Sequence, residues 1–365
     1  MIKPEIKTHI IVILLITFVS SIIYLNSIQN DFVFDDIILI KDNKSIRSFE
    51  SITHNLRHMY RPIRDVSYTI DYKFSGLNPL GYHISNILYH TITSILVYLI
   101  VRLLNKNISV SLFASLLFAA HPIHTDAVTY ISGRRDILST LFFLLGFYYF
   151  LRHRSNKRIA YIILALLAYL LGVLSKEMAV TLPLIFFAYD FYCHFNTKET
   201  SLNIRFFRDI CLNVKKVFLL YRYLYIPIVI GSVIFSYYII FILNVTKTTE
   251  WYGDSIILNF LTVSRIWVYY LKLLFYPVKL NADYSADFPV SESLLDTAGI
   301  ISIAILIGIF YFLLRFLLKQ NYPHTRQELK KTVSFCGVWF FVTLLPVSQI
   351  FPHHELLAEH YLYLR

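Results

Sequence analysis

An all-α, polytopic transmembrane helix bundle of about nine to eleven spans is the fold class this sequence predicts, on three observations. Of the 365 residues, 56% are hydrophobic and 16% are charged. The apolar residues gather into continuous runs, most of them long enough to cross a hydrocarbon layer of about 30 Å as helices. Between the runs, loops rich in lysine and arginine alternate with loops of balanced charge, the pattern of a multi-pass protein. Helices are the economical solution in lipid, where a backbone amide without a partner carries a heavy penalty.

The first run, residues 9–25, follows Met1-Ile2-Lys3-Pro4-Glu5-Ile6-Lys7. No small-x-small cleavage site follows Tyr24-Leu25-Asn26, so it is an uncleaved anchor. Residues 26–80 form the first large loop, and further apolar runs follow near 84–104, 109–120, 137–151, 159–174 and 178–193. The run 109–120 crosses only if it continues past His121-Pro122. A basic loop at 194–222 leads into the run 223–243, and runs near 298–318 and 332–350 complete the set.

The stretch 257–277 is assigned as an interfacial or re-entrant helix, because a crossing there would move Asp283-Tyr284-Ser285-Ala286-Asp287 to the cytoplasmic side and reverse every later span. Arg265 and Lys272 are seven residues apart and share a helical face, with Trp267, Tyr269 and Tyr270 as interfacial aromatics. The alternative is a true span that turns Arg265 toward a site. No internal repeat divides the chain, so 1–365 is one membrane domain, and Cys193, Cys211 and Cys336 are too scattered to imply a disulfide framework.

With the N-terminus cytoplasmic, the inside loops are those holding Arg102 and Lys106, then Arg152, Arg154, Lys157 and Arg158, then Lys198, Arg205, Arg208, Lys215 and Lys216, and last Lys319, Arg326, Lys330 and Lys331. Topology therefore accounts for the net charge of +11 without a nucleic-acid partner, and the basic face also suits anionic lipid. The first outer loop balances seven basic residues against seven acidic ones and is expected to fold on ion pairs. Nine of the thirteen histidines lie on this outer side or at the outer span ends, which places any chemistry there.

Asp35-Asp36, in FVFDD just past the first run, heads the candidate residues. Neighbouring side chains diverge, so one carboxylate can face a substrate while the other orients it or binds a cation. Desolvation raises and arginine lowers the pKa of such a carboxyl, which is how a general base is tuned. An ordinary pair of span-end aspartates fits the motif as well.

Arg61-Pro62-Ile63-Arg64-Asp65 presents two forked donors that suit a phosphate or the loop's own acids. In Gly81 to His90, the spacing sets His83, Asn86 and His90 within about a sixth of a turn on one helix face, for interhelical hydrogen bonds or a cavity. The run HPIHTDAVTYISGRRD, 121–136, concentrates His121, His124, Asp126, Arg134, Arg135 and Asp136 between two apolar runs. Ser175-Lys176-Glu177 puts two more charges in a short outer turn, and Pro352 to Tyr361 carries His353, His354, Glu355 and His360 without the order of a zinc helix. A lipid-borne anionic headgroup would meet cations here with carboxylates beside it.

The ordered blocks DFVFDD, RPIRDVSYTIDYKFSGLNPLGYHISNILYH, HPIHTDAVTYISGRRDILS, LLSKEMAVTLPL and LLPVSQIFPHHELLAEHYLYL resemble the membrane half of the transmembrane and tetratricopeptide-repeat O-mannosyltransferase family and its bacterial relatives. The resemblance covers essentially the whole chain and implies a GT-C glycosyltransferase fold. It further implies a polyprenyl-phosphate-sugar donor, mannose favoured, an inverting single displacement, and a protein or glycan hydroxyl acceptor on the periplasmic or lumenal face. The family's acidic motif falls on Asp35 and Asp36, one of which would deprotonate the acceptor.

Charge and position nominate Arg134, Arg135, His121, Lys176 and Arg64 for the donor phosphate, and His83, His124, Glu355 and Arg265 for the substrate cavity. No metal ligands are assigned, although a divalent metal is compatible with the reaction. The expected location is the bacterial inner membrane, or the endoplasmic reticulum membrane in a eukaryote. The helical repeats that family members carry after the spans are absent from residues 1–365, as in a fragment. A lipid-linked sugar transporter and a non-catalytic membrane scaffold are the competing classes; visible pseudo-symmetric halves would favour the transporter.

Overall fold

The computed structural model describes residues 4–55, 60–195, 202–237, 250–284, 288–318, 324–350, 352 and 355–365. Among them the regular structure is entirely helical, with no strand. The helices are α1 (Pro4–Ile22), α2 (Phe49–Asn55), α3 (Pro62–Ser75), α4 (Pro79–Asn105), α5 (Ile108–Ala120), α6 (Thr125–Thr129) and α7 (Arg134–Asn156). After these come α8 (Ile159–Ser175), α9 (Leu182–His194), α10 (Ile204–Tyr237), α11 (Ile256–Phe275), α12 (Thr297–Leu318) and α13 (His324–Leu344).

The membrane domain comprises two compact units, one of Met1–Ala179, Lys279–Ala282 and Glu359–Leu364, the other of Val180–Val278, Asp283–Ala358 and Arg365. Among the described residues, four helices can cross a membrane by length and composition, α4, α10, α11 and α12, and a fifth if the pair Ile108–Ala120 and Pro122–Thr129, bent by 47°, is one broken span. The apolar helices at Ile6–Ile22, Ile159–Ser175 and Thr332–Val347 are shorter. The nine to eleven spans expected from the sequence thus include runs whose helices are short for a full crossing. α11 meets the length criterion, which also admits its alternative reading as a full crossing.

Local sequence sets the turns of the first unit. Asn78 caps α4 by accepting from the Leu80 amide at 3.1 Å, with Pro79 at the first position, where no amide is needed. Lys106 then turns left-handed at φ 58°, and Asn107 Oδ1 accepts from Ser109 and Val110 at 2.9 and 3.2 Å to start α5 antiparallel. Lys157, at φ 56°, makes the same reversal between α7 and α8.

In this unit α1 packs on α4 and α5, α4 on α7, and α7 on α8. α1, α5 and α8 finish at the end where α4 and α7 begin, so residues 23–55, 60–78, 121–133 and 176–179 gather there. The basic turns around Lys106 and Lys157 lie at the opposite end.

The loop end has cores of its own. Ile40, Ile46, Tyr68, Tyr82 and Ile131 form one, while Tyr24, Ile87, Ala127, Val128, Ile137 and Tyr363 form another. The first loop is held mainly by apolar burial, worth about 1.5–3 kcal/mol per large side chain taken from water. Arg64 pairs with Asp65 within it, but Arg61 and Asp71 find partners elsewhere.

In the second unit α9 packs on α10 and α13, and α12 lies between α11 and α13. The stretch 194–222, expected as a loop, is helical from Ile204 onward. Residues Phe206, Ile210, Asn213 and Val217 recur at helical spacing, and Phe206 and Val217 are buried. Cys193, Cys211 and Cys336 are free thiols. His58, His353, His354 and residues 285–287 lie outside the described residues.

Candidate active site

Asp35 and Asp36 point opposite ways. Asp36 is fully buried, and its Oδ1 accepts from the Ser132 amide at 2.8 Å and the Ser132 hydroxyl at 2.5 Å, while Oδ2 accepts from the Val33 amide at 3.2 Å. Burial pushes its carboxyl above the usual range, although the Ser132 and Val33 bonds pull it down. Asp35 keeps 53% of its side chain exposed, and its amide donates to the Tyr130 hydroxyl at 3.0 Å. The Phe34 backbone, just before the pair, sits at φ 48°, a left-handed conformation disfavoured for a residue with a side chain.

Arg135 is the cation nearest to Asp35. Its Nη1 lies 3.8 Å from Asp35 Oδ2, and its Nε lies 3.6 Å from Asp136 Oδ2. Asp136 Oδ1 in turn takes Lys176 Nζ at 2.6 Å, and that ammonium lies 5.1 Å from the centre of the Tyr361 ring. Burial draws the Lys176 ammonium below its ordinary value, opposed by Asp136. Glu177, next in sequence, turns to Arg61 at 2.9 Å. Burial acts to raise the Glu177 carboxyl, but the Arg61 and Lys176 charges outweigh it and hold it down at about 2.

Several nominated residues are committed inside the protein. Arg134 is wholly buried, with Nη1 2.5 Å from Asp71, Nε donating to Asn86 at 2.7 Å and Nη2 donating to the Tyr82 carbonyl at 2.8 Å. A guanidinium so enclosed ties α7 to α3 and α4, because an unpaired charge there would be far too costly. Arg64 is likewise buried and sits 2.8 Å from Asp65. His121 accepts from the Ile123 amide at 3.2 Å, capping the bend after α5.

His124 is buried among Phe118, Tyr363 and His90, with ring centres 4.4, 4.7 and 5.8 Å away. Asn86 and His90 share the buried face expected of the α4 stripe and make interhelical bonds, His90 Nδ1 with the Tyr363 hydroxyl at 2.7 Å. His83 is buried on the same face. Arg265 and Glu355 belong to the second unit. There Arg265 pairs with Asp296 at 3.0 Å, and the Glu355 carbonyl accepts from Gln349.

Ser132 and Tyr130 were not singled out in the sequence, and Arg61 and Asp136 stood there only within their charged runs, with no role of their own. Asp136 carried a signal, being an acid in the first turn of a helix, where the dipole favours it. The tie from Ser132 to Asp36 joins residues 96 apart and left no trace in local pattern. Among the described residues, no three His, Cys, Asp or Glu side chains come together as a metal site.

The first unit thus presents a helical membrane architecture with one exposed carboxylate backed by a chain of alternating cations and carboxylates. Residues 71–206 match the family of dolichyl-phosphate-mannose-protein mannosyltransferases. The human protein O-mannosyl-transferase TMTC3 is 34% identical over 49% of this chain and 21% of its own length. Its mouse counterpart is 27% identical over 96% of this chain and 40% of its own length. The Caenorhabditis elegans protein O-mannosyl-transferase F38B6.6 is 29% identical over 75% of this chain and 39% of its own.

By sequence the chain is similar to proteins named protein O-mannosyl-transferases over the segments matched. It spans about two fifths or less of the length of these relatives. No solved structure matches it.

Proposed function

We propose that this chain carries the membrane-embedded part of an inverting glycosyltransferase that moves mannose from a polyprenyl-phosphate donor to a protein hydroxyl, with Asp35 as the general base. The observation that carries this reading is the exposed Asp35 carboxylate with the Arg135 guanidinium 3.8 Å away. One group accepts a proton while the other meets a phosphate.

In the reaction, the acceptor oxygen attacks the anomeric carbon in line as the bond from that carbon to the phosphate oxygen breaks. The acceptor proton passes to Asp35, and the electron pair of the broken bond stays on the phosphate. Arg135 stabilises that growing negative charge, so no general acid is needed. Asp36 is assigned to hold the Asp35 backbone, and the Asp136–Lys176 pair to orient Arg135. Arg134 and Arg64 act as framework in this assignment, and His121 shapes the bend beside them.

Charge asymmetry supports an outward site. The basic turns around Lys106 and Lys157 lie at the end of the first unit away from Asp35, and the positive-inside rule therefore favours assigning Asp35 to the periplasmic face of a bacterial inner membrane, or to the lumenal face in a eukaryote. A glycan hydroxyl is a second acceptor class open to the same chemistry.

Purified protein incubated with polyprenyl-phosphate mannose and peptide or glycan acceptors tests this reading, with the parent compared against Asp35→Asn and Asp36→Asn. Transfer by the parent and its loss in Asp35→Asn is the expected result. Equal transfer by all three would overturn the base assignment. Absence of transfer to every acceptor would favour a scaffold.

A further inference from the structure

α10 is longer than a bilayer needs. Its 34 residues would extend about 51 Å at 1.5 Å per residue, against a hydrocarbon layer of about 30 Å. The helix breaks at Tyr221, where φ is −119° and ψ is 20°. Beyond the break, Val229, Ile230, Val233 and Ile234 are 52 to 63% exposed, as befits a lipid-facing span.

Before the break the helix has three faces. Phe206 and Val217 are fully buried and fasten it to its own unit, with the Phe206 ring 6.4 Å from Phe195 on the α9 side. Next round the helix come Phe207, Val214 and Phe218, 51, 38 and 40% exposed. On the third face Arg205, Arg208, Lys215 and Lys216 are exposed, with Leu212 and Leu219 exposed among them. Helical spacing at 100° per residue sets the apolar strip directly beside the cationic one. A helix fastened along one side, apolar on the next and carrying cations interspersed with leucines on the third fits the plane of a headgroup layer.

We infer that residues 204–220 of α10 form an interfacial helix that binds anionic phospholipid, with Arg208 and Lys215 against the headgroup phosphates and Phe207 and Phe218 among the upper acyl carbons. The excess length of α10 is the part that lies in the interface, and Tyr221 is the bend into the span. Charge complementarity selects the partner. Four cations near a negatively charged leaflet each add attraction that a zwitterionic leaflet does not supply.

The native thiol of Cys211 reports on this contact, since it is exposed on the same segment. Cys193→Ser and Cys336→Ser leave it as the single site for an environment-sensitive fluorophore. The labelled protein is reconstituted in nanodiscs of phosphatidylcholine with a rising share of phosphatidylglycerol. Emission is expected to move to shorter wavelength as phosphatidylglycerol rises and to return in high salt. Arg208→Gln with Lys215→Gln should lose most of that shift at an unchanged melting temperature, while Arg208→Lys with Lys215→Arg should keep it. Emission indifferent to phosphatidylglycerol, or a full shift in the neutralised variant, would overturn the proposal.

Discussion

Arg135 stands between two carboxylates, with Nη1 3.8 Å from Asp35 Oδ2 on the exposed side and Nε 3.6 Å from Asp136 Oδ2 on the buried side. In the proposed reaction, the looser, exposed contact is the one the donor phosphate would replace. Asp136 is held in turn by Lys176 at 2.6 Å, so the position of Arg135 depends on a pair it does not belong to.

The two adjacent aspartates should respond differently to substitution. Asp35→Asn, at a half-exposed side chain, should leave the melting temperature within a degree or two while transfer falls by about 10²–10⁴-fold, the range for losing a general base. Asp36→Ala should instead cost about 1–3 kcal/mol, because the Ser132 and Val33 amides lose their acceptor in a buried place. Thermal denaturation alongside initial transfer rates separates the two effects.

The Asp136–Lys176 pair should behave as a coupled buried unit. Asp136→Ala or Lys176→Met alone should each cost about 3–5 kcal/mol by stranding a buried charge, and the double variant should recover most of the loss. A double-mutant cycle on thermal or denaturant stability reads the coupling. Additive losses would show that the two charges are solvated independently.

Gly133 is the tightest point of the site. A Cβ there would fall 2.5 Å from the Ala127 carbonyl oxygen and 2.8 Å from the Ala127 Cα, both backbone atoms. Gly133→Ala should therefore shift the turn that carries Ser132 on one side and Arg134 and Arg135 on the other, at a cost of about 1–3 kcal/mol. Transfer should drop with it, and a variant with parental stability and rate would contradict the crowding.

Acid should weaken the Arg61–Glu177 contact in a defined window. The Glu177 carboxyl is held at about 2 in the folded chain against an ordinary value of 4.5. The lower folded value means that the stabilisation is complete above 4.5 and is lost as pH falls from there toward 2. Melting temperature followed down this range should fall more steeply for the parent than for Glu177→Gln.

Much of the plan was legible along the chain because the bilayer imposes it. Apolar runs and their basic turns are local features that no distant contact overrides. The lengths of the spans were less legible, since residues that are apolar in a row need not belong to one helix. The run after Ile108 breaks at His121-Pro122, where proline and a histidine cap redirect the chain by 47°. The basic segment 194–222 was misjudged as loop because its cations mask the spacing of Phe206, Ile210, Asn213 and Val217.

Sequence by itself determined that this protein is an all-helical membrane protein with clusters of carboxylates and cations in the loops between its apolar runs, and that the adjacent Asp35 and Asp36 side chains diverge. Only the tertiary structure decided which charges are spent. Arg134 and Arg64 were as promising on paper as Arg135, yet Arg134 is enclosed by Asp71 and Asn86, and Arg64 by Asp65. The reason is physical. A residue type announces what it can bind, but a buried charge must be neutralised where it lies, and that partner is chosen by packing between segments far apart in the chain.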